Sequence, residues 1–182
     1  MPPSNDVPPT VSRNLVARLL ATARHVRGWL ALNNEFMWTN PDADQNSDQS
    51  TYIYCIHGTA DFPNSFHYFG DNFLKQYAEN EQGALPNEIL GIKSLSFTGR
   101  LAGLGIDDYA SQALAKIEKD CTPDPLNPSK VIPKKIVLIG HSRGGVVAEA
   151  LASLLEKRPD LPQVTAVMAI AAPFGAPMPQ ET

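Results

Sequence analysis

Lys135-Ile136-Val137-Leu138-Ile139-Gly140-His141-Ser142-Arg143-Gly144-Gly145 is the stretch on which the fold of this chain turns. Ile136 to Ile139 is a continuous apolar, β-rich run. Gly144 to Lys157 then carries Val146, Val147, Ala150, Leu151, Leu154 and Leu155 at steps of three and four, the period of a helix with one buried side. Residues 135–157 therefore read as strand, tight turn, helix. The turn itself is G-x-S-x-G. A serine in that position is forced onto a strained backbone at the tip of a sheet. Glycine is expected on both sides of it, because a Cβ at residue 140 or 144 would press on the neighbouring strand or helix. The hydroxyl of Ser142 then projects at the start of a helix, where free N–H groups favour developing negative charge.

The same alternation continues on both sides. Tyr52 to Ile56 is a strand that stops at His57-Gly58. Ser65 to Glu79 follows with Phe66, Phe69, Phe73 and Tyr77 at helical spacing. Ile89 to Phe97 is a second strand, and Asp107 to Asp120 is a helix capped by Asp107, with Tyr109, Ala113, Leu114 and Ile117 facing inward. A proline-rich loop leads to Pro133, and Gln163 to Ala172 is the last strand. The 16 prolines fall at the ends and between these runs, where they break neither helix nor ladder. Strands alternating with helices predict an α/β fold, a parallel sheet with helices on both faces.

This domain is expected over residues 51–182, preceded by an N-terminal helix and polar linker over 1–50. Within the latter, Leu15, Leu19, Ala23, Val26 and Leu30 form a helical stripe flanked by Arg13, Arg24 and Arg27. It reads as a helix packed on the domain with solvated arginines, in preference to a membrane-surface or targeting segment. In the linker, Asp42, Asp44, Asn46 and Asp48 copy the first half of a calcium loop. Ser47 and Ile53 stand where such a loop needs Gly and a bidentate Glu, so no metal site is expected.

Composition narrows the function. The chain has 182 residues, 43% of them hydrophobic and 19% charged, which suits one globular protein. A net charge of −4 argues against a binder of nucleic-acid backbone, which carries a basic excess. Two cysteines exclude a disulfide framework and a four-cysteine zinc site. Cys55 reads as a small core residue and Cys121 as part of a loop. Leu161 to Gln180 is uncharged, but Pro162, Pro173, Pro177 and Pro179 interrupt it, so no transmembrane segment is expected. The first residues lack a basic region followed by an apolar one, which leaves a cytoplasmic location as the default.

Three segments in order resemble the α/β-hydrolase family and, within it, the lipase and esterase group: Ile56-His57-Gly58-Thr59, Leu138 to Gly145, and Ala171-Ala172-Pro173-Phe174-Gly175. The first is similar to the HG-x segment after that family's third strand, the second to its nucleophile elbow, the third to a strand end written TPHxG in many lipases. The resemblance implies that Ser142 attacks a carboxylic ester, of a small molecule or a lipid, without a cofactor. It implies that the backbone N–H groups of Thr59 and Arg143 hold the oxyanion. His57, Gly58, Gly140, His141 and Gly144 then shape the two turns. It also implies a sheet in which strand 89–97 lies beside 52–56, then 135–139, then 163–172.

The chain departs from the family at one point. There the triad follows the order Ser, then Asp or Glu, then His, and no histidine follows Ser142 here. The acids after it are Glu149, Glu156, Asp160 and Glu181. The expected domain is thus C-terminally incomplete relative to the family, which leaves a shortened chain, an impaired hydrolase acting as a binding module, or a base from elsewhere. His67 is the in-chain candidate outside the motifs, although it reads better as a helix-surface residue. The last strand would leave an apolar edge open to self-association.

A competing pattern is Thr98-Gly99-Arg100-Leu101-Ala102-Gly103-Leu104-Gly105, which is similar to the TGxxxGxG of short-chain dehydrogenases that bind NAD(P). That motif belongs to the first strand of its fold, whereas a strand already precedes it here. No Tyr is followed by Lys four positions on, and no acid ends the next strand. The hydrolase reading is the stronger.

Overall fold

Five strands hydrogen-bond into one mixed sheet in the computed structural model, which describes residues 35, 37–58, 63–66, 87–98 and 104–174. They are β1 (Met37–Thr39), β2 (Thr51–Ile56), β3 (Ile89–Leu95), β4 (Lys135–His141) and β5 (Gln163–Ile170), in the order β1-β3-β2-β4-β5. Four of them have the order implied by the resemblance. β2, β3, β4 and β5 are mutually parallel, and β1 runs antiparallel to β3. Parallel neighbours need crossover connections. Helix α1 (Ile106–Cys121) supplies part of the one between β3 and β4, and helix α2 (Arg143–Leu155) the one between β4 and β5.

The register sets up the site. Ile56 pairs with Gly140 and Leu95, and His141 pairs with Ile170. The C-terminal ends of four strands therefore lie in one row, and the turns after β2 and β4 emerge side by side.

Helices α1 and α2 pack on one face of the sheet. Tyr54, Ile56, Ile136 and Leu138 meet Ala113 and Ile117 of α1 there, together with Val147 and Leu151 of α2. On the other face, Ile53, Cys55, Ile92 and Ile139 pack with Phe66 of a 3-10 turn, Pro63–Phe66. Beyond Phe66, the helix expected over 65–79 lies outside the described residues, as does the helix expected over 11–32. β5 is the last strand of the sheet among the described residues, with Val167 38%, Met168 54% and Ile170 40% exposed. Among the described residues no helix is long and apolar enough to cross a membrane.

Local details differ from the sequence reading. β1 was not foreseen, because three residues cannot establish a period. Cys121 ends α1 and is buried, so it is a helix residue and not a loop residue. Helix α1 starts one residue earlier than expected, and its cap changes accordingly: Asp108, not Asp107, accepts a hydrogen bond from the N–H of Gly105 at 2.8 Å. In the linker, Asp44 and Asn40 accept hydrogen bonds from backbone N–H groups two residues on, which closes tight turns.

A charge cluster ties Glu35, just ahead of β1, to β3 and α1. Lys93 Nζ donates to both carboxylate oxygens of Asp120 (2.9 and 2.7 Å) and stands 3.5 Å from Glu35. Lys116 Nζ donates to Glu35 at 2.6 Å, and the Ser96 N–H does so at 3.1 Å. Burial pulls the Glu35 carboxyl upward. The hydrogen bonds from Lys116 and Ser96 and the two lysine charges outweigh it and hold the group below its ordinary 4.5. Burial likewise disfavours charge on Lys93, but Asp120 and Glu35 raise it above 10.5. The Glu35 contribution to stability is therefore complete above pH 4.5 and lost as pH falls through its depressed value. The Lys93 contribution is complete below pH 10.5 and lost as pH rises through its elevated value. Lys93→Met leaves two half-buried acids without their shared cation and is expected to cost about 2 kcal/mol at pH 7. Urea unfolding checks this, and the gap to the parent should narrow as pH falls through the depressed Glu35 value and that carboxylate takes a proton.

Candidate active site

Ser142 stands between the last residue of β4 and the first of α2, with φ 54° and ψ −130°. Positive φ is rare outside glycine, and such strain costs about 1–3 kcal/mol where it occurs. The surrounding hydrogen bonds hold it. The Ser142 N–H donates to the Ile170 carbonyl of β5 at 2.8 Å, and the Gly145 N–H donates to the Ser142 carbonyl at 2.9 Å. The flanking glycines make room for the bend. A Cβ on Gly140 would run into the Gly144 carbonyl, and one on Gly144 would strike the carbonyls of Ile56 and His57.

The turn after β2 meets this bend. A Cβ placed on Gly58 would lie 3.0 Å from Ser142 Cβ and 3.4 Å from its Oγ, so the Gly58 backbone faces the serine side chain directly. His57 is buried, its Nδ1 is 2.9 Å from the Gly58 carbonyl oxygen, and its ring meets Phe97 edge-on at 5.3 Å. His141 ends β4, half-buried, opposite Ile170. The structure thus brings His57, Gly58, Gly140, His141, Ser142, Arg143 and Gly144 to one corner of the sheet. Thr59, the other expected oxyanion donor, lies outside the described residues, as do His67 and Glu181.

Sequence reasoning missed the side chain of Arg143. Its Nη2 donates to the Leu104 carbonyl at 2.7 Å, and its guanidinium lies 5.2 Å from the centre of the Tyr109 ring. Tyr109 in turn meets Phe97 edge-on at 5.4 Å. Tyr109 was legible as an inward-facing residue of α1, but no spacing announced what it would meet.

The remaining candidate acids lie elsewhere. Glu149 and Glu156 are exposed on and just after α2, and Asp160 is engaged by Arg158. A groove of about 590 Å³ between Leu155, Arg158, Leu161 and Val164 sits at the C-terminal end of α2, away from Ser142. In the dinucleotide-like stretch, Gly99 and Gly103 lie outside the described residues. Gly105 opens α1, but Asp107 and Asp108 crowd that helix start, and Asp108 already takes the Gly105 N–H. Two carboxylates there oppose a pyrophosphate.

No protein-family model matches the chain, and no curated protein matches it. Among solved structures it is similar to YbtT, a type II thioesterase from the yersiniabactin NRPS/PKS biosynthetic pathway (20% identity, TM-score 0.42, covering 71% of this chain and 45% of that one). It is also similar to esterase B from Lactobacillus rhamnosis in inhibited forms, one with a tributyrin phosphonate (13% identity, TM-score 0.41, 87% of this chain and 55% of that one). The chain spans about half the length of these solved structures.

Proposed function

We propose that this chain is a serine ester hydrolase of the carboxylesterase or lipase type. Ser142 Oγ attacks the carbonyl carbon of an ester. The oxyanion that forms accepts hydrogen bonds from the backbone N–H groups of Arg143 and Thr59. As it collapses, the ester C–O bond breaks and the alcohol leaves with the proton given up by the Ser142 hydroxyl. Water then releases the acid from the acyl-serine. Two preorganised donors of this kind are worth several kcal/mol of barrier, about 3 for each one removed in known cases. The observation that carries this reading is the left-handed backbone of Ser142 together with the Gly58 backbone against its side chain. A structural turn has no need of either, whereas an exposed nucleophile beside an amide needs both.

A serine without a positioned base reacts slowly with ordinary esters. The suitable test is a fluorophosphonate, whose fluoride leaves readily when the oxygen–phosphorus bond forms. The parent chain is expected to gain the mass of one phosphonyl group at Ser142, and Ser142→Ala to gain none. Equal labelling of both would remove Ser142 as nucleophile. A parent chain that stays unlabelled would favour a hydrolase-like binding module, unless a longer gene product is labelled, which would identify this form as a shortened chain.

A further inference from the structure

We infer that Tyr109, Phe97 and the Arg143 side chain form a brace that sets the distance between the two backbone arms around Ser142, and that they are positioning residues for its reaction. The inference rests on the hydrolase reading, but it concerns three side chains to which neither the motif nor the resemblance gives a role. The contacts run in series from one arm to the other. His57, which leads into Gly58, meets Phe97 edge-on at 5.3 Å. Phe97, just past the end of β3, meets Tyr109 at 5.4 Å with ring planes 83° apart. The Tyr109 face carries the Arg143 guanidinium at 5.2 Å. Arg143 is tied a second time by its hydrogen bond to the Leu104 carbonyl.

His57 and Arg143 are the residues next to Gly58 and Ser142. A chain of packed rings thus closes a loop whose other side is the contact between Gly58 and Ser142. Rings stack with little rotamer freedom, and a cation held over a ring face adds about 0.5–2 kcal/mol. Phe97 and Tyr109 are each 8% exposed, so the rings work in a largely dry setting. The two arms come from different strands, β2 and β4, which pair only as far as Ile56 and Gly140. Past that pairing, the brace spans them on the helix side, next to the backbone packing of Gly144 on the Ile56 and His57 carbonyls. A displacement of about 1 Å at such a site costs up to roughly 100-fold in rate.

The test uses the full chain with Tyr109→Leu, Tyr109→Phe, Arg143→Met and the Tyr109→Leu/Arg143→Met pair. Fluorophosphonate labelling is resolved into its maximal rate constant and its half-saturating concentration. Tyr109→Leu and Arg143→Met are each expected to lower the rate constant by about 10- to 100-fold, with the half-saturating concentration changed less than threefold. The double variant should lose no more than the worse single one, as members of one unit do. Tyr109→Phe, which keeps the ring, should restore the rate. An unchanged rate constant in folded Tyr109→Leu, or a change confined to the half-saturating concentration, overturns the brace.

Amide NMR of the same variants gives a second readout that does not depend on labelling. Tyr109→Leu should move the Gly58 amide resonance, which Tyr109 reaches through Phe97 and His57, and Tyr109→Phe should not. Shifts confined to α1 and the start of α2 overturn the inference. Loss of labelling in the parent, with the Gly58 coupling intact, would count against the hydrolase reading alone.

Discussion

Ser142→Gly is expected to unfold at a higher urea concentration than the parent chain and to take up no phosphonyl group. The serine sits at φ 54°, where a side chain is strained and glycine is not. Relief of that strain is worth about 1–3 kcal/mol, and the extra freedom of glycine in the unfolded chain returns about 0.5–1 of it. A net gain of about 1 kcal/mol is the expected result, read from urea midpoints at equal slope, with intact mass as the check on labelling. A stabilised but inert chain would mean that the bend is kept for the hydroxyl it presents. A glycine variant less stable than the parent would mean that the turn stores no strain.

Gly144→Ala should act in the opposite direction and more strongly. Its methyl group would strike the Ile56 carbonyl, with the His57 carbonyl at 2.7 Å. Both obstacles are backbone, held in the β2 ladder, and neither can swing aside as a side-chain tip would. Relief requires α2 to lift from the end of β2 and to carry Ser142 away from Gly58. Overpacking of this kind costs about 3 kcal/mol, and it should abolish labelling even where the chain stays folded. Thermal unfolding followed by circular dichroism, with labelling at a temperature where the variant is folded, separates the two losses.

The part of this molecule legible in advance is the part written in period. Residues 135–157 announce strand, bend and helix because four apolar residues in a row give way to a stripe at helical spacing, and the structure has β4 and α2 there. The neighbouring strands followed by the same signal, with boundaries within a residue or two. The position of the bend was equally plain, since glycines at 140 and 144 fit only where backbone crowds backbone.

What stayed hidden depends on meetings across long separations. Lys116 reaches Glu35 across 81 residues, and Arg143 reaches the Leu104 carbonyl across 39. No spacing rule reports which carbonyl a guanidinium will find. The exit from β5 is a smaller example: Ala171 takes φ 49°, and the strand stops at Ile170, two residues short of the apolar run in the sequence.

The two cysteines lend the chain an internal clock. Both are reduced and buried, Cys55 on one side of the sheet and Cys121 at the end of α1, and burial pushes each thiol up to about 12. At neutral pH neither is a thiolate, and neither is open to a maleimide while the chain is folded. Alkylation then counts excursions: each capture at Cys55 records an opening of the central strand itself, and the ratio of the two capture rates tells whether α1 comes away before the sheet does.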